Sequence, residues 1–287
     1  MTNPVRDMDW MEISSEVHSL LQPEDSRVTI LPMKSGLEAE VTKISAGGSQ
    51  FVLKVWNRDS KPNVHSQYKL LEALYSRGLP VSKPYGWGLD RDENPVLLTS
   101  FDGSPIGKVN QSLFKALTEM LTQIHRMSLQ DIDESTLPKH DFIPYFYPRI
   151  EEHVDLRDLL VQLVERADMK QDCLIHGDFN MGNVLEAEGT YTVIDWTNGQ
   201  LGDPRYDIAW SMVLMKIYGG MRSSSHYLYA ILSETPYTYE ELELFEAMAC
   251  LRWILLHRMA HLPIRKGTIS RVRSILKGNR HLNEHLL

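Results

Sequence analysis

The run Leu174-Ile175-His176-Gly177-Asp178-Phe179-Asn180-Met181-Gly182-Asn183-Val184-Leu185, followed by Thr192-Val193-Ile194-Asp195-Trp196, constrains this chain more than any other stretch. Residues 184–187 and 190–194 are apolar-rich and β-prone. Glu188-Gly189 splits them, which predicts a hairpin with a glycine turn. A hairpin folds the chain back on itself, so Asp178, Asn183 and Asp195 are expected to converge at one end of it. That set suits phosphoryl transfer. One carboxylate orients or deprotonates an attacking hydroxyl, while an Asn oxygen and a second carboxylate hold the magnesium that bridges the phosphates. Asp178 and Asn183 also have the D-x-x-x-x-N spacing of a kinase catalytic loop. The bland alternative is a polar turn whose Asp and Asn bond local backbone. The correctly placed second Asp makes that the weaker reading.

His176-Gly177-Asp178 with Asn183, then Ile194-Asp195-Trp196, then Gly202-Asp203-Pro204-Arg205-Tyr206-Asp207-Ile208-Ala209, resembles the aminoglycoside phosphotransferase and choline kinase superfamily of small-molecule kinases. The resemblance is strong over residues 174–210 and weaker toward the N-terminus. It implies an α+β, protein-kinase-like, two-lobe fold, with a small mixed β-sheet N-lobe and a larger, mainly helical C-lobe. It implies Asp178 as catalytic base, Asn183 and Asp195 as Mg2+ ligands, and ATP or GTP as co-substrate.

Composition narrows the class. With 287 residues the chain is long enough for two lobes and a real core. A formal net charge of −8 argues against a nucleic-acid partner, which calls for a basic face. The two cysteines, Cys173 and Cys250, lie in apolar surroundings without zinc-ligand spacing. They read as buried free thiols of a reducing compartment. The first ten residues lack the apolar centre of a signal peptide. The longest apolar run, around residues 209–215, ends at Lys216, well short of a membrane span. A cytoplasmic protein without a membrane or nucleic-acid partner is expected.

Periodicity orders the rest. Residues 9–21 read as a short amphipathic helix, followed by strands at 27–33, 37–45 and 50–56. Ala46-Gly47-Gly48-Ser49 forms a hairpin turn between the last two. Residues 63–77 have helical spacing and Gly78 stops them. Strands follow at 81–87 and 95–101. Asp102-Gly103-Ser104-Pro105 is turn chemistry, which sets an N-lobe at 1–102 and a C-lobe at 103–287. Helices are expected at 111–127, 150–167, 206–218, 239–261 and 268–287.

On the nucleotide side, Lys54 is the lone charge in the strand Phe51-Val52-Leu53-Lys54-Val55-Trp56 and reads as the lysine reaching the α/β-phosphates. Ser35 and Gly36 form the best phosphate-covering turn, although it has one glycine where protein kinases have three. The residue expected to face Lys54 is Gln67, not the usual glutamate. Glu72 lies about 140° further around the helix and faces elsewhere. Ser100 and Phe101 are candidates for purine contact through hinge backbone.

Asn180 stands two residues after Asp178, where Ser/Thr protein kinases place a lysine, and can donate to a phosphate oxygen. Residues 196–202 are too few for a protein-kinase activation segment, and no Ala-Pro-Glu follows, which disfavours a macromolecular acceptor. His176 reads as architectural. Asp203 reads as a helix N-cap with Pro204 at the first helical position, and Asp207 as an acid in the first turn. Glu240, Glu241, Glu243 and Glu246 suit a polyamine acceptor. The aromatics around them, Tyr237 among them, suit a quaternary ammonium or a macrolide. The expectation is a Mg2+-dependent kinase acting on a small-molecule hydroxyl, aminoglycoside-phosphotransferase-like. Choline, homoserine, a sugar and a macrolide remain as other acceptors, and a nucleotide-binding pseudokinase as the rival class.

Overall fold

The structure is a computed structural model that describes residues 4–21, 28–33, 39–58, 63–107, 109–133, 135–259 and 262–287. Two units emerge from the contacts. The first comprises residues 1–105 with 184–197, the second 106–183 with 198–287.

The first unit is built on a six-stranded antiparallel sheet. Its strands are β1 (Asp9–Ile13), β2 (Thr29–Pro32), β3 (Ala39–Ala46), β4 (Ser49–Trp56), β5 (Pro84–Leu89) and β6 (Pro95–Ser100), in the order β1-β5-β6-β4-β3-β2. Gly47 and Gly48, both at positive φ, make the two-residue turn that pairs Ala46 with Ser49. Helix α1 (Ser15–Leu21) contributes Val17 and Leu21 to a core with Ile44, Phe51, Leu53, Val96 and Leu98. Helix α2 (Val64–Ser76) starts at Asn63, whose side chain accepts the Ser66 N–H at 3.0 Å. Gly78, at φ +75°, ends it.

The expected helix over 9–21 is half strand. Asp9–Ile13 pairs with Pro84–Leu89, with a bulge between Trp10 and Glu12. Gly88 permits this, because a Cβ there would lie 2.2 Å from the Asp9 carbonyl oxygen. The 184–197 segment, expected with the helical lobe, groups with the sheet. Val193 donates to the Pro80 carbonyl at 2.6 Å, and Ser104–Pro105 pairs with Glu186 and Leu185.

The second unit is mainly helical: α3 (Gln111–His125), α4 (Phe142–Phe146), α5 (Val154–Arg166), α6 (Pro204–Leu214), α7 (Met221–Glu234), α8 (Tyr239–Met259) and α9 (Thr268–Gly278). Helix α8 is buried nearly all round from Leu242 to Leu255, as a central core helix must be. Helices α4 and α7 were not expected. The first is a five-residue turn, and the second is serine-rich with only Ser224, Tyr227 and Ile231 buried. The helix expected over 268–287 stops at Gly278, where the Asn279 side chain donates to the Glu243 carbonyl at 2.9 Å. Cys250 is buried, as expected. Cys173 is only partly so, because it lies on a two-stranded ribbon, and both are free thiols. No helix among the described residues is long and apolar enough to cross a membrane.

Candidate active site

In the helical unit the 176–183 loop leaves the strand Cys173–Ile175, which pairs with Gln200–Gly202. Its first turn is tied to a buried acid. Asp207, fully buried, accepts the N–H groups of His176 at 2.8 Å and Gly177 at 2.9 Å, and contacts His125 Nε2 at 3.1 Å. Burial alone would push the Asp207 carboxyl up. The hydrogen bond and charge of His125, with the charge and N–H of His176, outweigh it and hold the group below its ordinary value. Arg252 Nη1 donates to the Gly177 carbonyl at 2.9 Å. Asp207 sits in the first turn of α6 as expected, but its carboxylate serves the loop rather than its own helix.

Gly177 adopts φ +75°, and a Cβ there would lie 2.7 Å from the Asn198 carbonyl oxygen. Gly177→Ala is therefore expected to destabilise the protein by about 1–3 kcal/mol and to displace the loop. Chemical denaturation beside the wild type checks this.

Asp178 is held at both carboxylate oxygens. Trp210 Nε1 donates to Oδ1 at 2.7 Å, and Asn183 Nδ2 to Oδ2 at 3.1 Å. Its carbonyl accepts from Asn183 Nδ2 and Asn180 Nδ2, each at 2.9 Å. Asn180 Oδ1 takes the Gly182 N–H at 2.8 Å, so its amide closes the turn within the loop. His176 is buried, and its Nδ1 accepts the Asp178 N–H at 3.2 Å, an architectural role.

In the sheet unit the hairpin has the expected form. Val184 pairs with Val193 and Ala187 with Thr190, around Glu188 and Gly189, both at positive φ. Asp195 follows, exposed and left-handed at φ +65°, a conformation that Asp tolerates and that often marks functional positions. Thr197 Oγ1 donates to Asp195 Oδ1 at 3.0 Å, and Gln67 Nε2 donates to Thr197 Oγ1 at 3.3 Å. Gln67 thus reaches the Asp195 turn. Lys54 is partly buried on β4 and makes no ion pair among the described residues. Its Nζ lies 6.0 Å from the Trp56 ring centroid. Glu72 pairs with Lys69 at 3.3 Å, facing elsewhere as expected.

Ser100 and Phe101, the hinge candidates, lie at and just after the end of β6. Their N–H groups already donate to the carbonyls of Lys83 at 2.9 Å and Gln50 at 3.2 Å, because sheet pairing runs to the end of β6. Asp102 accepts the hydroxyls of Ser82 at 2.6 Å and Ser100 at 2.7 Å. Burial raises its carboxyl, and the two hydroxyls only partly offset that. Ser35 and Gly36 lie outside the described residues.

Three of the four glutamates in the acidic cluster on α8 have structural partners. Glu243 is buried against Arg280 at 2.5 Å and Glu246 against Lys216 at 2.5 Å. Glu241 and Thr238 form a reciprocal capping box. Trp196, Tyr206, Trp210, Tyr227 and Trp253 are core residues. The sequence reading missed Trp210, Arg252 and His125 as partners of the loop. No local pattern marks them, since each meets the loop through tertiary packing.

A lysine on a central strand of an antiparallel sheet, and a braced His-Gly-Asp loop in a helical unit, define a kinase-like α+β protein. Residues 29–245 match the Phosphotransferase enzyme family (APH), and the chain belongs to that family. That family is one of phosphotransferase enzymes. The fold of the chain is similar to that of Plasmodium vivax ethanolamine kinase (15% identity, TM-score 0.64, covering 92% of this chain and 85% of that one). It is also similar to a thermostable mutant of aminoglycoside phosphotransferase APH(4)-Ia bound to AMP-PNP and hygromycin B (15%, 0.65, 93% and 99%). The amicoumacin kinase hAmiN in complex with AMP-PNP, Ca2+ and Ami is a third neighbour (18%, 0.64, 94% and 95%). Acyl-CoA dehydrogenase family member 10 of Mus musculus is 24% identical over 181 residues, 52% of this chain. The chain spans 17% of that protein's length.

Proposed function

We propose that this enzyme transfers the γ-phosphoryl group of ATP or GTP to a hydroxyl of a small molecule, with Asp178 as the base and Asn183 and Asp195 as ligands of Mg2+. The observation that carries the reading is the double tether of the Asp178 carboxylate on a loop anchored to buried Asp207. A base so fixed can meet a substrate hydroxyl without reorganising. Asn183 directs its N–H groups to Asp178, which leaves Oδ1 as its ligand atom. Asp195 is exposed, with one hydroxyl on Oδ1. Among the described residues no group of three or more His, Cys, Asp or Glu could hold a metal alone. That sparseness fits Mg2+, which takes one or two protein oxygens and completes its shell with phosphate and water. Such an ion supplies charge neutralisation on the phosphates. Lys54 contacts the phosphates from β4, residues 1–102 carry the nucleotide, and residues 103–287 carry the base and the acceptor. Two free thiols fit a reducing, cytoplasmic setting.

With Glu243 and Glu246 already paired, recognition of a polyamine through α8 is disfavoured. The nucleotide-bound neighbours support a nucleotide donor. The test is acceptor-dependent turnover of magnesium–ATP and magnesium–GTP across amino alcohols, sugars, homoserine, aminoglycosides and macrolides. Turnover with at least one is expected. Nucleotide binding with neither acceptor turnover nor slow hydrolysis would instead identify a pseudokinase. Asp195→Ala is expected to abolish the magnesium dependence of nucleotide binding, measured by titration with and without Mg2+. Unchanged dependence would remove Asp195 from the metal site.

A further inference from the structure

The group that fixes Asp178 Oδ1 lies outside the catalytic loop. Trp210, on α6, is 4% exposed and places its indole N–H 2.7 Å from that oxygen. An indole N–H donates and never accepts, so Oδ1 is the acceptor of this bond. The distance is short for a nitrogen donor, as charge-assisted bonds are. Behind the ring stands a buried cation. The Arg252 guanidinium carbon lies 4.1 Å from the Trp210 ring and 4.6 Å from that of Phe146, and Arg252 also holds the Gly177 carbonyl. Arg252 is 7% exposed and makes no ion pair among the described residues. A cation over the indole face draws ring electron density toward itself, which makes the N–H a stronger donor.

We propose that Trp210, backed by Arg252, is the positioning residue that locks Asp178 in its rotamer. The inference rests on the reading of Asp178 as the base. Holding Oδ1 leaves Oδ2, which the longer Asn183 bond also reaches, as the oxygen that takes the acceptor proton. Simple core packing would need the ring but not its N–H, and the two roles separate there.

Two replacements remove the N–H: Trp210→Phe, and Trp210 replaced by 3-benzothienylalanine, which puts sulfur in place of N–H and preserves the packing. Both are read on magnesium–ATP hydrolysis with water as acceptor. The kcat is expected to fall about 10-fold with the nucleotide KM unchanged. A wild-type kcat in the sulfur variant, which does not depend on repacking, would overturn the proposal. A second readout needs no activity. The chain has six tryptophans, and the indole N–H signal of Trp210 is identified by its loss in Trp210→Phe. It should lie at low field and move upfield in Asp178→Ala. An unmoved signal would overturn the hydrogen bond. Absent turnover in the wild type would count against the base reading alone, and the indole signal would still decide the clamp.

Discussion

Asp178→Asn is expected to lower acceptor-dependent turnover by roughly 10²-fold or more, the range for loss of a general base, with the fold and nucleotide affinity preserved. The substitution is nearly isosteric. An amide oxygen can still accept the Trp210 N–H, and the Asp178 carbonyl keeps its bonds from Asn180 and Asn183. What disappears is the capacity to take the proton from the attacking hydroxyl, together with the Asn183 bond to Oδ2, whose place an amide nitrogen would take. Steady-state kcat beside an equilibrium nucleotide titration separates the two effects. Near-wild-type kcat would exclude Asp178 as base. A loss confined to nucleotide binding would recast it as a binding residue.

Asp207→Ala is expected to cost about 3–5 kcal/mol of stability, the usual penalty for breaking a buried charged network from one side. Two buried loop N–H groups and His125 would lose their acceptor at once. Equilibrium denaturation in urea measures this, and a change under about 1 kcal/mol would refute the anchoring role. The sign of the pH dependence follows from the lowered carboxyl. A depressed acid contributes fully above its unfolded value, about 4, and the contribution is lost as pH falls through the folded value. Asp207→Asn should flatten the acid side of the stability profile.

What could be read from the residues in advance was local. Glu188-Gly189 announces its hairpin, Asn63 its helix cap, and Asp203-Pro204 the start of α6, because each rule acts within a few positions. Asp203 accepts the Arg205 N–H at 2.9 Å, as an N-cap should. The rest depends on partners far along the chain. Strand β1 looks helical until Gly86 and Gly88 offer it an edge. Gln67, read as facing a lysine, also meets Thr197, 130 positions further along the chain. The α8 glutamates look like a cationic site until Arg280 and Lys216 are seen to neutralise them. Trp210 reads as core, and it is core; its N–H on Asp178 is a tertiary fact without a local signature.

The hairpin over residues 184–193 gives the chain an unusual order of manufacture. Ser104–Pro105 and Pro80 find their partners only in residues 184–193. The sheet unit is therefore unfinished until Thr197 has been synthesised, although most of it emerges first. A fragment ending at the turn after β6 would expose backbone groups that the hairpin normally occupies. On the ribosome, folding of the first unit would await a stretch delivered inside the second, so the two units should mature together rather than one after the other.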